Sequence, residues 1–158
     1  MRWTQRLFPV LCALAISCQR GHAVPDGDVA ATLGAIPVIG TQPFAVDSLR
    51  GKPALVMFVS PMCEHCVAEM PRAQAAAADA KANLVAVFVV GRQDDAEAIA
   101  RSTHFAGPIL MDDGSLRQKY DVTGVPMTLV LKGDGHAVAA LVGEQDDAAL
   151  RDALADAR

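Results

Sequence analysis

Pro53-Ala54-Leu55-Val56-Met57-Phe58-Val59-Ser60-Pro61-Met62-Cys63-Glu64-His65-Cys66 joins an unbroken apolar run to two cysteines separated by two residues. A short continuous apolar run reads as a strand covered on both faces. If a helix opens directly behind it, both sulfurs sit in its first turn, with Cys63 outermost and Cys66 further in. Backbone N–H groups at a helix N-terminus favour thiolate over thiol, which makes the outer cysteine a nucleophile. A thiolate with a second thiol in reach attacks a disulfide and is then released by its neighbour, which is thiol–disulfide exchange.

Working outward, strands and helices alternate. The Ala-rich stretch from Glu64 to about Ala82 is helical in composition, with Pro71 expected to kink it. Leu84–Val90 is a second apolar strand and Asp94–His104 a helix. Pro108–Met111 reads as a short strand, Ser115–Tyr120 as a helix and Val125–Leu131 as a third main strand. Lys132-Gly133-Asp134-Gly135 is a hairpin turn with its glycines at positive-φ positions. Ala137–Val142 then pairs back antiparallel, and Asp146–Ala157 is a closing helix. Before the cysteines, residues 24–40 read as a tether followed by an edge strand or hairpin. Thr41–Phe44 reads as a short strand and Asp47–Lys52 as a turn. The pattern gives a mixed α/β fold, a central sheet flanked by helices.

The chain has 158 residues, one domain's length with a little left over at the front. With 52% hydrophobic and 20% charged residues it is globular, with side chains enough for a core. A formal charge of −4 and the scarcity of aromatics argue against nucleic-acid binding. Arg2 and Arg6 precede an apolar stretch, Leu7–Ile16, too short to span a bilayer, which is the layout of a secretory signal. Two processing routes compete. Cleavage after Gly21-His22-Ala23 makes 1–23 the signal peptide and Val24 the new N-terminus. Alternatively Leu14-Ala15-Ile16-Ser17-Cys18 resembles a bacterial lipobox, which makes 1–17 the signal and leaves Cys18 as a lipid anchor. Either route places the domain in a periplasmic or other extracytoplasmic, oxidising compartment. The folded part retains only Cys63 and Cys66. A loop that short closes too little chain to serve as a scaffold disulfide.

Over residues 41–158 the sequence resembles the thioredoxin superfamily, and within it the exported TlpA/ResA-like thiol–disulfide oxidoreductases. The resemblance rests on Phe44, Leu49-Arg50-Gly51-Lys52-Pro53, Phe58, Cys63-Glu64-His65-Cys66, Glu69-Met70-Pro71, Tyr120-Asp121-Val122-Thr123-Gly124-Val125-Pro126 and Lys132-Gly133-Asp134-Gly135. It implies a thioredoxin-like domain with an extra helix–strand insertion at Asp94–Met111, and no cofactor beyond a redox-active Cys63–Cys66 pair. It also implies that Pro126 is the family's cis-proline, and that Val125, Pro126 and Met62 receive substrate. A cis X-Pro bond turns neighbouring backbone groups outward, where they can hold a client as an added strand. Three departures stand out. Met62 replaces a common Trp, Ser60-Pro61-Met62-Cys63 is closer to a methylamine-utilisation branch, and Met57 stands where thioredoxin has a buried Asp. Glu69 is then the candidate proton-handling carboxylate, and His65 the candidate thiolate stabiliser, as in the DsbA-type motif.

The leading expectation is an enzyme that reduces disulfides in client proteins, an apocytochrome or another exported protein, and is itself kept reduced by a membrane thiol donor. The opposing charges carry the direction. Glu64 and Glu69 oppose a thiolate that only a protonated His65 assists, which leaves Cys63 near neutral pH and the protein a donor of electrons. The alternatives are a DsbA-like oxidase and a Cu(I)-binding or delivery module on the same fold, with His65 or His136 beside the two thiolates. A peroxiredoxin-type peroxidase is disfavoured, because Ser60 stands where a Thr is expected.

Overall fold

The apolar run becomes the central strand of a six-stranded mixed sheet. The computed structural model describes residues 22–36, 38–39 and 44–158. In chain order the elements are α1 (Val29–Leu33), β1 (Val38–Ile39), a 3-10 turn (Val46–Leu49), β2 (Ala54–Val59), α2 (Glu64–Ala80) and β3 (Asn83–Phe88). There follow α3 (Gln93–Ser102), β4 (Ile109–Met111), α4 (Ser115–Lys119), β5 (Met127–Leu131), β6 (Ala137–Val142) and α5 (Asp147–Asp156). The strands lie in the order β1-β4-β3-β2-β5-β6. β2, β3 and β4 run parallel, joined by α2 and α3, while β1, β5 and β6 pair antiparallel with their neighbours. Parallel neighbours need a crossover, and the helices supply it.

Every residue of β2 is buried, so its two faces feed two cores. Leu55, Met57 and Val59 face the layer that holds Cys66, Met70, Ala73, Leu150 and Leu154 from α2 and α5. Ala54, Val56 and Phe58 face Val29, Leu33, Leu49, Leu116 and Tyr120. The buried face of α2 is rich in alanine, at Ala73, Ala76 and Ala77, and small side chains let the helix approach the sheet closely. Pro71 lies inside α2 with its side exposed, and the helix continues through it to Ala80. The insertion expected over Asp94–Met111 is present as α3 and β4.

Two expectations are corrected. Residues 24–36 are more than a tether, because α1 forms there and its Val29, Ala30 and Leu33 are fully buried. Asp28 caps that helix by accepting from the Ala31 N–H at 2.9 Å, and the Arg50 guanidinium binds the same carboxylate. That ion pair holds the Asp28 carboxyl below the usual carboxylate range. The second correction concerns the hairpin turn, where only Gly135 has a positive φ, +90°. Gly133 instead sits close against backbone, where a Cβ would meet Gly51 and Lys52 at 3.1 Å, tighter than ordinary contact. The readings placed on Cys18, the signal segment through Gly21 and Thr41–Pro43 lie outside the described residues.

Candidate active site

β2 delivers the chain to the site through a turn that Ser60 organises. The Met62 N–H donates to the Ser60 hydroxyl at 3.3 Å, and the Cys63 N–H to the Ser60 carbonyl at 3.2 Å. Pro61, the next residue, packs on Gly91 in the loop between β3 and α3. Gly91 has φ +105°, and a Cβ there would lie 2.8 Å from the proline ring. Glycine at that position therefore lets the two loops touch.

Cys63 is the N-cap of α2, and its sulfur accepts the Cys66 N–H at 3.1 Å. The two cysteines form a disulfide with Cα atoms 5.2 Å apart. Cys63 is partly exposed and Cys66 fully buried, so only the outer sulfur is open to a partner. The Val125–Pro126 bond is cis, and the Val125 carbonyl lies 3.6 Å from the Cys63 sulfur. Pro126 is buried, whereas Val125 is half-exposed beside the disulfide. Met62 is 92% exposed, and it lines a mostly apolar cavity of about 410 Å³ with Pro61, Val90, Ala98 and Ile99, to which Ser60 and Asp95 add polar groups.

Glu69 is placed by helical spacing, one turn behind Cys66 on the same face of α2. Its carboxylate is fully buried. Oε1 accepts from the Thr128 hydroxyl at 3.0 Å and Oε2 from the Gln145 N–H at 2.8 Å. Among the described residues no cation pairs with it. Burial therefore pushes the Glu69 carboxyl above its ordinary range, and these two hydrogen bonds only partly offset the shift. Thr128 stands opposite Met57 in the β2–β5 ladder. Through Thr128, Glu69 of α2 thus reaches the rung of the sheet on which Met57 stands.

His65 is exposed, and its Nδ1 lies 2.6 Å from Glu144 Oε2 in the β6–α5 loop. Glu144 Oε1 also takes the Arg72 guanidinium at 2.7 Å. These two partners hold the Glu144 carboxyl below its ordinary range. His104 and His136 are exposed and far along the chain from the cysteines. Among the described residues no three His, Cys, Asp or Glu side chains cluster as metal ligands would.

Thr128, Gln145, Glu144 and Arg72 were not singled out by the sequence. Thr128 left a trace, as the one hydroxyl inside an otherwise apolar strand. The others sit in segments whose composition is that of an ordinary helix face and loop.

The thioredoxin-like domain family matches residues 46–158. No curated protein matches the sequence. Among solved structures, a secreted Mycobacterium tuberculosis disulfide oxidoreductase homologous to E. coli DsbE is 26% identical, with 72% of this chain and 88% of that one covered and a TM-score of 0.62. DsbF of the same organism, solved in mixed oxidised and reduced forms, is 22% identical over 86% of this chain and 100% of that one, with a TM-score of 0.71. StoA from Bacillus subtilis is 21% identical over 66% of this chain and 83% of that one, with a TM-score of 0.56.

Proposed function

Because the chain belongs to the thioredoxin-like family, we propose that it is an exported thiol–disulfide oxidoreductase that reduces disulfides of extracytoplasmic client proteins through Cys63 and Cys66. The observation that carries this reading is the asymmetry of the disulfide, with one sulfur open at a helix N-terminus and the other buried one turn behind it.

In the reduced protein the Cys63 thiolate, held by the Cys66 N–H and the start of α2, attacks one sulfur of a client disulfide. A new S–S bond forms to Cys63, and the client's other sulfur leaves as a thiolate that takes a proton from solvent. Glu69 accepts the Cys66 proton, and the Cys66 thiolate then attacks the Cys63 sulfur. The Cys63–Cys66 bond forms and the client's second sulfur leaves as a thiolate that takes a proton from solvent, while Glu69 gives its proton back to solvent. Two electrons and two protons pass to the client, and a thiol donor at the membrane returns them. The Val125 backbone beside Cys63 gives an extended client segment an edge to lie on, and the apolar cavity at Met62 and Ile99 gives a client side chain a place to rest.

The direction rests on charge. The His65 imidazole is occupied by the Glu144 carboxylate and not by Cys63. Glu64 stands in the first turn of α2 and opposes a thiolate there. A thiolate that is not over-stabilised leaves the reduced form the better electron donor. Export is supported by the N-terminal sequence and by the secreted M. tuberculosis relative, with a lipid anchor at Cys18 or a free N-terminus at Val24 as the two mature forms. Titrating the Cys63/Cys66 couple against glutathione tests the direction. The expected potential lies nearer the roughly −270 mV of thioredoxin than the roughly −120 mV of DsbA. A value at the DsbA end, with a strongly acidic Cys63 thiol, would make the protein an oxidase.

A further inference from the structure

Cys66, Glu69 and Arg72 recur at three-residue spacing along one face of α2, yet Arg72 does not pair with Glu69. Its guanidinium is spent on the β6–α5 loop. One nitrogen donates to the Gln145 carbonyl at 3.0 Å and the other meets Glu144 at 2.7 Å. The same residue, Gln145, gives its own N–H to Glu69 at 2.8 Å. Its side-chain amide donates to the Val142 and Gly143 carbonyls at 3.2 and 2.8 Å, and the Gly143 N–H donates to Pro126 at 2.9 Å. A two-residue strap, Glu144-Gln145, therefore touches the imidazole between the cysteines at one end and the buried carboxylate behind them at the other.

We propose that Arg72 and Glu144 are positioning residues that set the proton affinity of Glu69, Arg72 by fixing the Gln145 N–H on the carboxylate and Glu144 by balancing the Arg72 charge. The charged groups facing Glu69 are Arg72 from α2 and Glu144 from the β6–α5 loop, and they act on it in opposite senses. Thr128 from β5 contributes only a neutral hydroxyl. His65 reaches Glu69 only by way of Glu144. Removing Glu144 leaves a cation uncompensated near Glu69, which favours the carboxylate. Removing Arg72 leaves an anion uncompensated and frees the loop that carries the N–H donor, which favours the acid. The two variants must therefore move Glu69 in opposite directions, which a merely structural role for the loop would not do.

This inference rests on the reading of Glu69 as the base for Cys66. Reaction of the reduced protein with 5,5′-dithiobis(2-nitrobenzoate) in a stopped-flow separates the two steps, because attack by Cys63 and displacement by Cys66 each release one coloured thiolate. The second phase is followed against pH. In the wild type it should rise through the ionisation of Glu69, and Glu69→Gln should lose that limb. Glu144→Gln should move the limb to lower pH and Arg72→Met to higher pH, each on the order of half a pH unit or more, with Arg72→Lys lying between Arg72→Met and the wild type. If Glu69→Gln loses the limb while the Arg72 and Glu144 variants leave it in place or move it the same way, the positioning role is wrong and the base stands. If Glu69→Gln keeps the limb, Glu69 is not the base and the inference falls with it.

Discussion

Replacing Thr128 with Val tests how Glu69 is kept buried. Thr128 is fully buried, and its hydroxyl is one of two donors to a carboxylate that forms no salt bridge among the described residues. Valine has the same shape, so the packing against Met57 across the β2–β5 ladder is preserved and the loss is electrostatic. A hydrogen bond to a charged group contributes about 1.5–3 kcal/mol, and the deserted oxygen stays buried. The expected destabilisation is therefore about 2 kcal/mol where Glu69 is ionised. The sign with pH follows from the raised proton affinity of Glu69. The folded state holds a proton that the unfolded chain releases, so this group's contribution to stability falls as pH rises from the ordinary carboxylate range through the folded pKa. Thr128→Val raises that pKa further and extends the fall. Urea unfolding of the oxidised protein at acidic and at mildly alkaline pH should show the cost growing with pH, and Thr128→Ser should recover most of it. An equal cost at both pH values, or a greater one in acid, would refute the assignment of the hydroxyl to the charged carboxylate.

Cys66→Ser should accumulate mixed disulfides with client proteins and Cys63→Ser should not, as read on non-reducing gels; equal trapping would overturn the division of labour. Leu33→Ala should cost about 2–5 kcal/mol in urea unfolding, because α1 inserts a fully buried side chain under the sheet; an unchanged midpoint would detach α1 from the core. Gly91→Ala combines a positive φ with a Cβ 2.8 Å from the Pro61 ring. It should destabilise by about 1–3 kcal/mol and also alter the alkylation rate of Cys63, since the turn that carries it is displaced. A stability loss with alkylation unchanged would show that the Gly91–Pro61 contact does not reach the sulfur.

The strand and the cysteines from Pro53 to Cys66 were legible because each carries a strong local signal, an apolar run followed by an N-terminal helix start. Glu69 was legible from its place three residues after Cys66 together with the family motif that it matches. Its environment was not, because Thr128 and Gln145 lie 59 and 76 residues away and meet it only through strand pairing and the β6–α5 loop. The helix α1 was missed for a related reason. Its five residues carry one capping signal, Asp28, amid Pro25, Gly27 and Gly34, and its stability comes from burial under β2 and from the Arg50 ion pair. Gly133 was misread because a glycine kept for close approach looks, in sequence, like one kept for a left-handed turn.

The complete burial of Cys66 has a further chemical consequence. On the proposed dithiol cycle small oxidants would meet Cys63 first, and a sulfenic acid formed there would stand one helical turn from the shielded Cys66 thiol. That thiol condenses with it and expels water, returning the pair to the disulfide before the irreversible sulfinic and sulfonic stages. The inner sulfur would then act as a repair group, and damage by oxidant would end in a normal state of the proposed cycle.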